Sequence, residues 1–169
     1  TVSPLALETS SLKTDSRGRI WWSENTVDKR WSLKTGAVMR RMDGKKIEKV
    51  GDNAVRYNPV PSPYGYFLSA VRYAINGGSS LEIMDEEGKS IASHPAPDSL
   101  QLVETAWLSE EDIYATAVSE NGYGIYHINM YKGSWNKVLS PQPVMIKDLR
   151  TKGNELTFVS DRTGVNELY

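Results

Sequence analysis

The 169-residue chain has no cysteine, only two histidines and two phenylalanines, and no surplus of charge of either sign. Each shortage closes off a class of protein. Without cysteine there can be no disulfide staple, no thiolate zinc site and no thiol nucleophile. Lys+Arg 20 against Asp+Glu 21 leaves a net charge of -1. That balance argues against a dedicated nucleic-acid or anionic-membrane binder, because either draws affinity from a basic surplus that releases counterions. No apolar run approaches the roughly 20 residues that cross a bilayer. The opening Thr1-Val-Ser-Pro-Leu-Ala-Leu-Glu-Thr-Ser10 lacks the charged-then-apolar order of a signal peptide. Helical periodicity is scarce as well, since proline or glycine interrupts each apolar stretch before it can hold a 3.6-residue period. What remains is 39% hydrophobic residues and 13 glycines, enough apolar material for a core and too much for a disordered chain.

That material is repetitive. Four segments share a turn followed by an apolar strand. The turns are Ser16-Arg-Gly18, Ser62-Pro-Tyr-Gly65, Ser109-Glu-Glu-Asp112 and Thr151-Lys-Gly153. The strands read Arg19-Ile-Trp-Trp-Ser23, Tyr66-Phe-Leu-Ser-Ala-Val71, Asp112-Ile-Tyr-Ala-Thr-Ala-Val-Ser119 and Glu155-Leu-Thr-Phe-Val-Ser160. With Ser23, Val71, Ser119 and Ser160 as equivalent positions the spacings are 48, 48 and 41. Such a period carrying several short strands predicts an all-β propeller of four-stranded antiparallel blades. The units fall at about 10–50, 51–97, 98–140 and 141–169, a single propeller region whose last blade is incomplete. Strands are expected near 55–60, 66–73, 80–84 and 90–94 in the second unit, and near 102–108, 113–119, 124–130 and 135–139 in the third. Residues 98–108 are the one stretch that also reads as a short helix. Small Ala70, Ala115 and Ala117 suggest that the most apolar strands lie innermost, with Trp21, Trp22, Phe67, Trp107 and Phe158 filling the gaps between blades. The last unit stops in its third strand. Residues 2–7 could supply the missing strand and close a four-bladed ring, and a longer protein cut mid-blade is the other explanation.

Val159-Ser-Asp-Arg-Thr-Gly-Val-Asn-Glu-Leu-Tyr169 resembles the blade signature of TolB-type propellers, also described as WD-repeat-like. In that family a Ser-Asp-Arg-x-Gly turn leads into a strand ending in Leu/Ile-Tyr. Val118-Ser-Glu-Asn-Gly-Tyr-Gly-Ile-Tyr126 is a shorter copy, and Ser62-Pro-Tyr-Gly65 looks like the family's Ser-Pro-Asp-Gly with tyrosine in place of aspartate. The resemblance implies a propeller fold in which Asp161 caps a turn, Gly164 supplies positive φ and Tyr169 packs between blades. It also implies the style of bacterial cell-envelope propellers, hence a periplasmic or envelope location with any leader already removed. Members of this kind are free-standing binding propellers or the N-terminal propellers of prolyl-oligopeptidase-type serine peptidases.

Catalytic patterns are lacking. No Gly-x-Ser-x-Gly occurs, and His94 and His127 each stand alone in their local sequence, so no nucleophile–base pair is apparent and the chain is expected not to be an enzyme in itself. Asp85-Glu-Glu87 and Glu110-Glu-Asp112 lack the alternating spacing of a calcium loop and read as solvated hairpin tips. Arg40-Arg41 reads as a solvated face. No metal and no cofactor is expected. Functional residues are sought instead at the ends of the second strands, which the repeat places on one face of the ring. They are Glu24, Asn25, Arg72, Tyr73, Glu120, Asn121, Asp161 and Arg162, which with Tyr123 nearby make a polar rim suited to a protein or peptide partner. The expectation is a non-enzymatic binding or scaffolding propeller for such a partner, with no nucleic acid, no membrane insertion and possible self-association through the incomplete blade. A substrate-gating propeller of a serine peptidase is the alternative. A glycan-binding module, resting on the five tryptophans, is a third reading.

Overall fold

A computed structural model describes residues 12–27, 35–52, 54–74, 77–97 and 100–169. The first sheet holds β1 (Lys13–Thr14), β2 (Ile20–Val27), β3 (Thr35–Asp43) and β4 (Lys46–Val50). The second holds β5 (Tyr57–Pro61), β6 (Phe67–Tyr73), β7 (Ser79–Asp85) and β8 (Ser90–Pro95). The third holds β9 (Gln101–Trp107), β10 (Asp112–Ser119), β11 (Gly122–Asn129) and β12 (Trp135–Gln142). A fourth, three-stranded sheet holds β13 (Ile146–Lys152), β14 (Glu155–Ser160) and β15 (Glu167–Leu168). Each sheet is an antiparallel meander in chain order. The first strands of successive sheets touch one another: β1 meets β5, β5 meets β9 and β9 meets β13. They therefore surround a common axis, the fourth strands lie at the periphery, and the sheets are the blades of a β-propeller.

The blades interlock through apolar seams. Leu68, Ala70 and Met84 of the second blade pack on Trp21, Met39 and Val50 of the first. Val71, Leu81 and Ile83 on its other face meet Leu102, Ile113, Ala115 and Ala117 of the third. Ala106 and Ile125 meet Ile146 and Leu149 of the fourth. Adjacent residues of one strand thus face different blades, which is why β6 and β10 read as nearly continuous apolar runs.

That covering corrects the sequence reading at one point. The most apolar strands, with Ala70, Ala115 and Ala117, are second in each blade, whereas the innermost strands border the axis and carry polar residues such as Lys13, Asn58, Glu104 and Arg150. The short helix weighed for 98–108 is strand β9 over Gln101–Trp107, held by pairing with β10. The segment proposed to complete the last blade, residues 2–7, lies outside the described residues. Among the described residues no strand pairs with the outer edge of β15.

The innermost strands share an irregularity. Three of them slip by an extra residue against their partners, between Tyr57 and Val60, at Val103, and between Lys147 and Arg150. In two of these bulges the backbone turns left-handed at a non-glycine, Asn58 with φ 51° and Asp148 with φ 55°. Short polar side chains tolerate that conformation best. The bulges stitch the ring. Asn58 N–H donates to Ser23 Oγ at 3.4 Å and Asn58 Nδ2 to the Val103 carbonyl at 3.0 Å, while Leu149 N–H donates to Glu104 Oε1 at 3.1 Å.

The charged tips expected to be solvated are joints as well. Arg19 Nη1 and Arg17 Nη1 reach Glu86 Oε2 at 2.8 and 2.7 Å, and Arg41 reaches Glu87 Oε1 at 3.1 Å, tying the first blade to the second. The Arg19 and Arg41 guanidinium groups both lie over the Trp21 ring, 5.2 and 5.5 Å from its centroid. Gly88 is required at this joint, because a Cβ there would stand 2.6 Å from the backbone of Gly51. Glu110 takes the hydroxyl of Ser62 at 2.7 Å and the Tyr64 N–H at 2.6 Å, so it binds the third blade to the second.

Candidate functional site

At the end of the axis where each innermost strand turns into the second, the blades leave a cavity of about 600 Å³. Its wall is made by residues 12–16, 60–63, 105–108, 149–151 and 153, one strand end from each of the four blades. The wall is braced across blades. Trp107 Nε1–H donates to the Val60 carbonyl at 2.9 Å, and the Thr151 hydroxyl donates to the Trp107 carbonyl. The Trp107 indole stacks on Phe67 with the rings inclined by 18°. The Ser69 and Thr105 hydroxyls meet at 2.8 Å just behind. A concave site whose walls are already hydrogen-bonded to one another needs little rearrangement to receive a ligand.

Charge within the cavity is one-sided. Lys13, Asp15 and Arg150 are the charged residues on its wall. The Asp15 carboxylate is fully buried and spent on its own turn: it accepts from Arg17 N–H, Arg19 N–H, Arg19 Nε and Trp21 Nε1. Burial would raise its pKa, but the hydrogen bonds from Trp21 and Arg19 outweigh that and hold it below the usual carboxylate value. Lys13 and Arg150 make no ion pair with any carboxylate among the described residues. One step deeper along β9, burial pushes the Glu104 carboxyl up. The Leu149 N–H and the charges of Lys13 and Arg150 work against that rise, and Asp148 adds to it.

The sequence-predicted rim lies at the opposite end of the blades, and none of its nine residues lines the cavity. Several are engaged within the fold. Glu24 sits inside β2, not at its end, and accepts from Arg40 Nε at 2.8 Å. The Tyr73 hydroxyl donates to the Leu102 carbonyl at 2.8 Å, and Asp161 accepts the Met145 N–H at 2.7 Å. The Arg162 guanidinium lies 4.1 Å from the Tyr169 ring centroid. Tyr123 packs against the seam between the third and fourth blades. Asn25 pairs with Ala37 through its backbone. Arg72, Glu120 and Asn121 are exposed at or next to the strand ends.

His94 Nε2–H donates to the Met130 carbonyl at 2.6 Å, tying the second blade to the third, and His127 Nε2 lies 2.9 Å from Asp112 Oδ1 within the third blade. Trp21, Trp22 and Trp107 are buried and Trp135, partly buried, packs edge-on against Tyr126, so these four serve packing; Trp31 lies outside the described residues. Among the described residues no cluster of histidine and carboxylates could hold a metal ion, and no helix is long and apolar enough to cross a membrane.

Sequence reasoning missed the cavity because it took the second strands as innermost. The signal was nevertheless present, since the turns at Ser16-Arg-Gly18, Ser62-Pro-Tyr-Gly65 and Thr151-Lys-Gly153 follow directly on the strand ends that form it.

No protein-family model and no curated protein matches the chain. Solved structures do. A putative TolB from Agrobacterium tumefaciens superposes with a TM-score of 0.68 at 15% identity, over 93% of this chain and 55% of that one. A puromycin-hydrolyzing peptidase from Mycobacterium tuberculosis matches with a TM-score of 0.63 at 14% identity, over 89% of this chain and 27% of its own length. The β-propeller domain of the Trilobed protease from Pyrococcus furiosus, described as having an open velcro topology, matches at 0.57 and 10% identity over 94% and 55%. The chain thus spans from about a quarter to about half the length of these proteins. At such identities the likeness establishes the fold: a β-propeller of the type found in TolB-like proteins and in the propeller domains of peptidases.

Proposed function

We propose that this chain is a non-catalytic binding propeller that holds a peptide segment of a partner protein in its axial cavity. The observation that carries the reading is the cavity itself, a pre-braced hollow to which all four blades contribute and whose two cations have no carboxylate partner there. The wall carries no histidine and no cysteine, which supports recognition as its chemistry. The motif resemblance at Val159-Ser-Asp-Arg-Thr-Gly164 supports a bacterial cell-envelope setting for this activity.

A second reading has its own support, since the matching structures include a puromycin-hydrolyzing peptidase of which this chain covers 27%. In that reading the same cavity lies on the route by which peptides reach a catalytic domain, and the full-length protein carries a Gly-x-Ser-x-Gly serine in an α/β segment.

Both readings require peptides to enter the cavity. Thr14→Trp fills it from an exposed position of β1 whose side chain holds no hydrogen bond among the described residues. Titration of the purified protein with a pool of short peptides is expected to show saturable binding that this substitution abolishes while the melting temperature stays put. Binding untouched by Thr14→Trp would place the partner elsewhere and reject the proposal.

A further inference from the structure

We infer that the axial cavity receives the carboxylate end of a peptide, with Lys13 and Arg150 as its anion receptor; the inference rests on the peptide-binding reading and deepens it. The electrostatic case begins with what a ligand inside the cavity meets. Asp15 is the single carboxylate among the wall residues, and its buried oxygens are saturated by Arg17, Arg19 and Trp21. Glu104 and Asp148 temper the two cations from the axis, but neither contributes to the wall, and one Glu104 oxygen is held by Leu149 N–H. A ligand group in the cavity therefore faces an ammonium and a guanidinium that no carboxylate among the described residues neutralises by contact. Such groups favour an anion, and charge-assisted hydrogen bonds to it are the stronger kind.

The rest of the wall selects among anions. Among the described residues each innermost strand pairs along one edge only, β1 with β2, β5 with β6, β9 with β10 and β13 with β14. Along the other edge Asn58 N–H, Leu149 N–H and the Val60, Val103 and Trp107 carbonyls already bond neighbouring side chains, and the edge groups not so engaged are what another main chain would meet. Leu12, Val60, Leu108 and Leu149 line the same hollow and suit an apolar side chain. Carboxylate, amide backbone and apolar side chain together describe the C-terminal end of a peptide. A bare phosphate or acetate would use the cations and leave the rest of the wall unmatched. The volume, about 600 Å³, lies in the range of roughly 300–1,000 Å³ that encloses a ligand and not a folded domain.

The test compares two pools of N-terminally labelled random tripeptides at low salt, one with free C-terminal carboxylates and one amidated, titrated against the full chain. The free-acid pool is expected to bind more tightly by about tenfold or more, the scale of a hydrogen bond to a charged group. Lys13→Gln and Arg150→Gln should each erode that preference, and Arg150→Lys should keep part of it. Neither wild-type side chain holds a hydrogen bond or ion pair among the described residues, so the variants should stay folded, with melting temperatures lowered only by the lost attraction to Glu104. Equal binding of both pools would overturn the carboxylate inference and leave peptide binding standing. Failure of both pools would overturn both. Inorganic phosphate or acetate binding as tightly as the free-acid pool would also overturn it, by showing an anion site indifferent to the peptide.

Discussion

Asp15 and Glu104, two carboxyl groups drawn into the ring on different blades, respond to protons in opposite senses. Burial dominates at Glu104, whose folded carboxyl holds its proton more tightly than the unfolded chain does. Its contribution to stability is complete below the ordinary glutamate value, near pH 4.3, and is lost as pH rises through the raised folded value. Glu104→Gln keeps an acceptor for Leu149 N–H and removes the charge. The variant should melt above the wild type at neutral pH, with the gap closing in acid; a variant that melts lower at pH 7 would show that Lys13 and Arg150 outweigh burial. Asn58 makes a separate residue-scale case. Alanine at its left-handed backbone would lose both the bond to Val103 and the conformational tolerance, at about 2 kcal/mol, whereas glycine would lose little beyond the bond, about 1 kcal/mol. Denaturant unfolding of the two variants separates them, and equal losses would mean that the backbone there is unstrained.

The element that depends most on charge is the joint between the first two blades. Arg19 is nearly buried between Asp15, at 2.6 Å, and Glu86, at 2.8 Å. Removing it strands a fully buried carboxylate, and breaking such a pair from one side costs about 3–5 kcal/mol. Arg19→Met should therefore be strongly destabilising at pH 7. Glu86 is held below its usual value first by the Arg19 hydrogen bond, against a smaller effect of burial, and Asp15 is likewise lowered on balance. Both bind protons less readily folded than unfolded. Their stabilisation is complete above roughly pH 4 and drains as pH falls through the ordinary carboxylate range toward their lowered folded values. The destabilisation by Arg19→Met should accordingly shrink in acid, and one that stays constant from pH 7 to pH 3 would contradict this account of the joint. The strands around the joint were legible from short apolar runs and the turns before them, because local pattern dictates them. The joint was not. Asp85-Glu-Glu87 looks like a solvated tip in sequence, and only the stacking of blades brings Arg17, Arg19 and Arg41 to it.

At the scale of the molecule, stability resides in the seams between blades. Leu102 is fully buried where the second blade meets the third, and Leu102→Ala should cost about 2–5 kcal/mol. At this chain length each kcal/mol lowers the melting temperature by roughly 2–4 °C; a shift under one degree would mean that the seam repacks freely. The repeat at spacings of 48, 48 and 41 made the propeller legible in sequence, since every blade must solve the same packing problem. The cavity was not legible to the same degree. It depends on which strand of each blade faces the axis, and Ala70, Ala115 and Ala117 pointed to the wrong one, because a strand covered by two neighbouring blades is as apolar as any central strand. The two ends of the ring therefore offer rival sites, the polar rim at Glu24, Arg72, Glu120 and Asp161 and the cavity bounded by Lys13, Thr105 and Arg150. Amide hydrogen exchange of the full chain, with and without the tightest-binding peptide of the free-acid pool, decides between them. The account predicts new protection in residues 14–16, 105–108 and 149–151 together, on three blades at once. Protection confined to residues 120–123 and 161–162, or to a single blade, would contradict it.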